Sequence, residues 1–216
     1  MQRARPHVRR LLELQPHGNF QLGGYCNGGL LAWEIAHQLR QAGREVESIV
    51  LVDVLSLNSR PAFRVIHGLL NGMAALMPGP QKRQLQREGM RAIWNVARQS
   101  GGSKFGWIVA AIPPLQRRLL NRKIAKTSPE TPFDEFGGCY YRAMANYIPP
   151  KIDCDVVAIS CEYQANIFEW ATEPWTQLAR KVDRTIVPGR HKSCITTHVE
   201  VLARLLSAAT SNRGDA

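Results

Sequence analysis

Gly24-Tyr25-Cys26-Asn27-Gly28 stands between a short apolar run, residues 20–23, and a segment in which Leu30, Leu31, Ile35, Ala36 and Leu39 recur at helical spacing toward Gly43. Only a sharp turn fits between the two. A strand that turns abruptly into a helix, with a nucleophile at the apex and small residues on either side, is the nucleophile elbow of the G-x-S-x-G pattern, here with cysteine in place of serine. Gly24 and Gly28 are expected to be glycine because a side chain at either place would collide with the neighbouring strand or helix. Cys26 is therefore the first candidate for the chemistry. The competing reading is a buried cysteine beside a glycine-rich loop that binds a phosphate or nothing, and the G-x-G-x-x-G of a dinucleotide loop is not present here.

Outward from this stretch, β-branched runs at residues 48–52, 155–160 and 184–187 read as strands, and residues 170–181 and 196–208 as helices. Strand and helix alternate, which predicts an α/β fold with a mostly parallel sheet covered by helices on both faces. Residues 60–149 interrupt that alternation. Short helical patterns at 84–99 and 115–125 are separated there by Met77-Pro78-Gly79-Pro80, Gly101-Gly102 and Pro113-Pro114. The expected organisation is a partial core from residues 1–59 and 150–210, an inserted helical region at 60–149, and a disordered tail at 211–216.

With 216 residues and 44% hydrophobic content the chain can bury one core, and no apolar run reaches membrane-spanning length. The net charge of +11 is concentrated in residues 60–126, where thirteen Lys or Arg face one acid, Glu88. A solvated basic face or a docking surface for an acidic partner both fit that excess. Nucleic acid is disfavoured because no stacking platform or known motif interleaves the basic residues, and stable membrane insertion is not expected. The five cysteines are an odd, irregular set without a C-x-x-C pair, and no charged-then-apolar leader opens the chain. Neither a zinc site nor any other metal is expected, most of the other four cysteines read as buried apolar residues, and a reducing cytoplasm fits best.

Catalytic groups in a parallel sheet come from loops at the carboxyl ends of strands. Asp53 follows the run ending at Val52, and His191 follows Val187-Pro188-Gly189-Arg190. A thiol with a pKa of about 8.5 is only a few per cent ionised at neutral pH, so a histidine that takes its proton is the expected activator. The order Cys26, Asp53, His191 suits a nucleophile, an acid that orients the imidazole, and a base. Each of the latter two also fits a plainer role, as a turn aspartate and a surface-loop histidine.

The residues from Leu14-Gln15-Pro16-His17-Gly18-Asn19-Phe20 through Gly24-Tyr25-Cys26, then Trp33-Glu34-Ile35-Ala36 and the Leu51-Val52-Asp53 ending, resemble the carrier-linked thioesterase domains of nonribosomal peptide and polyketide synthetases. Val187-Pro188-Gly189-Arg190-His191 with Thr197-His198-Val199 is similar to that family's histidine loop, and Tyr147-Ile148-Pro149 to its exit from the lid. The resemblance implies an α/β-hydrolase fold with a helical lid, and a Cys26-Asp53-His191 triad with Glu162 as the weaker alternative acid. It also implies an acyl or peptidyl substrate presented on the phosphopantetheine of an acidic carrier protein, with no cofactor bound to the enzyme itself.

The backbone amide of Asn27 would supply one oxyanion donor. In that family the second comes from a loop upstream of the nucleophile strand. The resemblance therefore implies an amino-terminally truncated domain whose first strand is open to self-pairing or to a partner. Pocket-wall candidates are Tyr25, Leu55, Phe63, Leu69 and Met73 early, and Ile167 and Phe168 late. Cysteine in place of serine implies an acyl-thioester that stays reactive toward amines, hydroxyls and thiols, so transfer or ring closure gains ground on hydrolysis. Two other readings are a catalytically silent fragment that associates through its sheet edge or lid, and a cysteine-dependent hydrolase of small esters or amides.

Overall fold

The computed structural model describes residues 4–54, 61–76, 78–79, 147–167 and 173–211. In chain order these form α1 (Arg5–Leu14), β1 (Phe20–Tyr25), α2 (Gly28–Gln41), β2 (Val46–Val52), α3 (Pro61–Ala75), β3 (Asp155–Cys161), α4 (Glu162–Ile167), a 3₁₀ turn (Glu173–Gln177), β4 (Lys181–Val187), a second 3₁₀ turn (Ser193–Ile195) and α5 (Val199–Ser211). The chain divides into two compact units, Met1–Ser56 with Pro149–Ala216, which holds the four strands, and Leu57–Ile148, which holds α3. The helical patterns expected at 84–99 and 115–125, and residues 212–216 of the tail, lie outside the described residues.

The four strands form one parallel sheet in the order β1-β2-β3-β4. β2 is buried nearly throughout, as its unbroken apolar sequence from Ile49 to Val52 requires of a strand covered on both faces. Alternation along it sends Val50 and Val52 to one face, where they join Val157, Ile159, Cys161, Val187, Cys194 and Leu202 and Ala209 of α5 in one apolar cluster. Leu51 points the other way, toward the start of α2. On α2, Trp33, Ala36 and Leu39 are wholly buried. The Trp33 ring meets Trp175 with centroids 4.6 Å apart, and its indole N–H donates to the Pro150 carbonyl at 2.9 Å.

α2 ends where glycine makes a left-handed residue cheap. Gly43 has φ +76, and the Arg44 amide reaches back to the Leu39 carbonyl at 2.9 Å, closing the helix in a Schellman turn. Arg44 then donates to the carbonyls of Gln15 at 3.0 Å and Gly18 at 2.8 Å and lies over the Phe20 ring. One side chain thus ties the end of α2 to the loop that delivers β1.

Three local expectations need correction. Residues 170–181 were expected to be a helix, whereas among the described ones residues 173–177 make only a 3₁₀ turn and Lys181 already pairs with Asp155. Burial of Trp175 and Leu178, together with the long-range ladder to β3, overrides the local helical pattern there. α5 starts at Val199 rather than Thr196, because the Thr196 and His198 amides are both held by the Ser193 carbonyl. β1 runs two residues past Gly23, since Gly24 and Tyr25 continue the ladder to Leu51 and Val52.

The Trp33 contact makes a stability prediction. Trp33→Ala should lower unfolding free energy by about 3–5 kcal/mol in chemical denaturation. Trp33→Phe, which keeps a ring but leaves the half-buried Pro150 carbonyl without its indole donor, should cost about 0.5–1.5 kcal/mol.

Candidate active site

β1 delivers its last residue, Tyr25, into register with Val52, and the chain turns at once. Cys26 adopts φ 54, the left-handed region that a β-carbon disfavours. The conformation is held on both sides. The Cys26 amide donates to the Val52 carbonyl at 2.8 Å, extending the β1/β2 ladder by one residue, and its carbonyl accepts the Gly29 amide at 3.2 Å as α2 begins. A β-carbon on Gly24 would come within 2.4 Å of the backbone of Gly28 and Gly29, so the expectation for Gly24 agrees with the packing. The expectation for Gly28 does not. A β-carbon there meets nothing within 4 Å, while one on Gly29 would lie 2.3 Å from Val54. The tight approach of α2 to the sheet falls one residue later than the elbow pattern suggests, and the doubled Gly28-Gly29 was its only trace in the sequence.

Asp53 follows β2 in the same way. It too is left-handed, with φ 52, and Cys26 and Asp53 are the two non-glycine residues with positive φ among the described residues. Such backbone costs on the order of 1–3 kcal/mol at each position and persists only where the surroundings impose it. The Asp53 amide donates to the Ile159 carbonyl at 2.7 Å, so the ladder again holds the strained residue. Its carboxylate is fully buried: one oxygen accepts the Cys161 amide at 2.9 Å, and the other is hydrogen-bonded to Nδ1 of His191. Glu162, the other acid considered, opens α4 as an exposed residue.

His191 reaches Asp53 from the loop after β4. Gly189 has φ +89, and a β-carbon on it would lie 2.4 Å from the Ser193 hydroxyl and 2.8 Å from the His198 ring. The Arg190 amide donates to the Ser193 hydroxyl at 2.7 Å and the Cys194 amide to the Arg190 carbonyl at 2.9 Å, winding the loop into the second 3₁₀ turn. The structure thus brings Asp53 and His191 into direct contact, and places Cys26 at the end of the strand that pairs with the one bearing Asp53.

Tyr25, one of the pocket-wall candidates, has its ring stacked on the His191 imidazole, centroids 4.7 Å apart and planes 19° from parallel. Its hydroxyl donates to the His191 carbonyl at 2.6 Å. Burial first, and then the neighbouring Cys194, Cys26, Asp53 and Cys161, push that hydroxyl's pKa up to about 12. Asn27 is the N-cap of α2, in the first turn where helix geometry leaves amides without intrahelical acceptors.

Of the other pocket candidates, Phe63, Leu69 and Met73 lie on α3 in the second unit, Phe63 buried and the other two exposed. Ile167 ends α4, and Leu55 and Phe168 lie outside the described residues. Cys154, Cys161 and Cys194 are buried thiols outside any disulfide, and burial pushes Cys154 up to about 11. Cys139 lies outside the described residues. Among the described residues no helix is long and apolar enough to cross a membrane, and no group of three or more His, Cys, Asp or Glu is placed to hold a metal ion.

Residues 4–65 match the family model of the thioesterase domain. The chain is 42% identical over 57 residues to the non-reducing polyketide synthase ZEA1 of Gibberella zeae, which is 26% of this chain and 3% of that protein. It is 39% identical over 51 residues to the thioesterase pynI of Aspergillus niger, 24% of this chain and 18% of the relative. These curated relatives are therefore matched over a small part of their length. Among solved structures, the Vlm2 thioesterase domain bound with a dodecadepsipeptide superposes with a TM-score of 0.52 at 17% identity, over 96% of this chain and 74% of the other. SrfTE, the thioesterase domain that cyclises the lipopeptide surfactin, gives 0.51 at 18% identity, over 95% and 74%. At such identities the likeness is one of fold. Over residues 4–65 the sequence is thus similar to the thioesterase family, and its α/β fold with a parallel sheet is the fold of the thioesterase domains on which it superposes.

Proposed function

We propose that the chain transfers or releases acyl groups from a thioester held on carrier-protein phosphopantetheine, through a covalent Cys26 intermediate, in the making of peptide or polyketide secondary metabolites. One observation carries the reading: among the described residues the two non-glycine residues forced into left-handed backbone are Cys26 and Asp53, at the ends of adjacent paired strands, and Asp53 holds His191. Strain retained at two neighbouring strand ends is characteristic of functional sites.

In this reading the Cys26 thiol gives its proton to Nε2 of His191, and the thiolate attacks the substrate carbonyl carbon. The tetrahedral oxyanion is stabilised by the Asn27 amide at the start of α2. Collapse breaks the bond to the pantetheine sulfur, which leaves with the proton from His191, and the acyl group remains on Cys26. An incoming water, amine or hydroxyl then gives its proton to His191 as it attacks, and Cys26 is released as the thiol. Asp53 keeps Nδ1 protonated and stabilises the imidazolium formed in each half. The acidic carrier would be drawn by the basic residues between Arg60 and Lys126, with the salt sensitivity of steered encounters.

A second reading, association without catalysis, has its own support. β1 ends the described sheet, and Gln21 and Gly23 along it are exposed. An open strand edge is a template for pairing with another chain.

Incubation with an acyl-pantetheine thioester and mass spectrometry separates the two. The first predicts a single acyl adduct on Cys26, absent from Cys26→Ala; no adduct in the unaltered chain would leave the second. His191→Ala should slow acylation by about 10²–10⁴-fold. Asp53→Asn, which leaves the imidazole in the wrong tautomer, should slow it on the order of 10⁴-fold. Gly24→Ala should abolish acylation through its backbone collision, whereas Gly28→Ala, facing open space, should have a far smaller effect.

A further inference from the structure

A histidine anchored only through Nδ1 can still swing about that hydrogen bond, and the His191 side chain is 43% exposed, so enclosure by packing does not hold it. What limits it is the residue just before the nucleophile. Tyr25 covers one face of the imidazole and fixes its plane, and the Tyr25 hydroxyl donates to the carbonyl of the same residue. That carbonyl oxygen has two lone pairs, and the second accepts the Cys194 thiol at 3.0 Å. His191 is thereby held at three points: Asp53 on the ring nitrogen, Tyr25 on the ring face, and Tyr25 with Cys194 on the backbone.

We propose that Tyr25 is a positioning residue for His191, coupling the placement of the base to that of the nucleophile through the Tyr25-Cys26 peptide. Adjacent α-carbons in a trans chain are a fixed 3.8 Å apart, as a rough constant of peptide geometry. Cys26 and the platform under His191 therefore move as one unit, set by the end of β1. Because the hydroxyl is pushed up to about 12, it remains a donor across the working pH range. Cys194 is likewise kept as a thiol, its pKa raised chiefly by burial. The inference rests on the reading of Cys26 and His191 as nucleophile and base.

The test is the pH dependence of Cys26 alkylation by iodoacetamide in the full chain, read at each cysteine by peptide mass spectrometry. His191→Ala should return Cys26 to ordinary thiol behaviour, with a midpoint near about 8.5. Tyr25→Phe keeps the stacked ring and loses one hydrogen bond; it should slow Cys26 alkylation at pH 7 by about 3- to 10-fold and move the midpoint toward that of His191→Ala. Tyr25→Leu, without ring or hydroxyl, should move it further. If His191→Ala keeps the unaltered profile, the base assignment falls and the proposal with it. If His191→Ala shifts the profile but neither Tyr25 variant does, the positioning role alone is overturned. A purely structural role is also distinguishable, because it would expose buried Cys161 and Cys194 to the reagent while leaving the Cys26 midpoint in place, and that result too overturns the proposal. Should Tyr25→Leu fail to fold, the isosteric Tyr25→Phe decides.

Discussion

Parallel pairing of four strands is the constraint on which the site depends. Because every strand runs the same way, all four carboxyl ends open on one side of the sheet, and the register decides which residues meet there. Tyr25 lies opposite Val52, Val52 opposite Ile159, and Cys161 opposite Val187. Cys26, Asp53 and the loop to His191 therefore leave the sheet side by side. A one-residue slip between β1 and β2 would turn their apolar faces inside out and separate Cys26 from Asp53 in the same stroke.

The ladder also holds the strain. Cys26 and Asp53 each sit one residue past a strand, and each keeps a backbone hydrogen bond to the neighbouring strand, to Val52 and Ile159 respectively. Relaxing either to an ordinary conformation would break that bond and pull on strands whose Val50, Val52, Val157 and Ile159 are packed in the apolar cluster under α5. Burial of several such side chains, at roughly 1.5–3 kcal/mol each, is ample to offset two unfavourable backbone positions. The core and the site are thus not separable features, because the packing of the valines is what keeps the elbow bent.

Much of this was legible locally. The turn at Cys26 follows from a strand and a helix with only a few residues between them, and β2 is readable because a strand buried on both faces needs an unbroken apolar run. Where local reading failed, a distant partner was responsible. Lys181 looks like the end of a helix until β3 is beside it, and Trp175 looks helical until Trp33 occupies its face. Gly28 and Gly29 are indistinguishable along the chain, and only the approach of Val54 shows that the second is the one without room.

The sequence by itself determined the α/β alternation, the elbow and the identity of its apex, since periodicity and turn chemistry act over a few residues. It favoured Asp53 over Glu162 as the acid for His191 from its place at a strand end, and it named Tyr25 only as a pocket-wall candidate. Only the tertiary structure decided which groups touch His191, because those contacts depend on strand register and on a loop folding back across more than a hundred residues. Asp53 is beside His191 because β2 lies inside the sheet with its carboxylate buried against the Cys161 amide, while Glu162 begins a helix facing outward. Tyr25 reaches the same histidine because its side chain alternates to the face of the sheet over which the His191 loop returns.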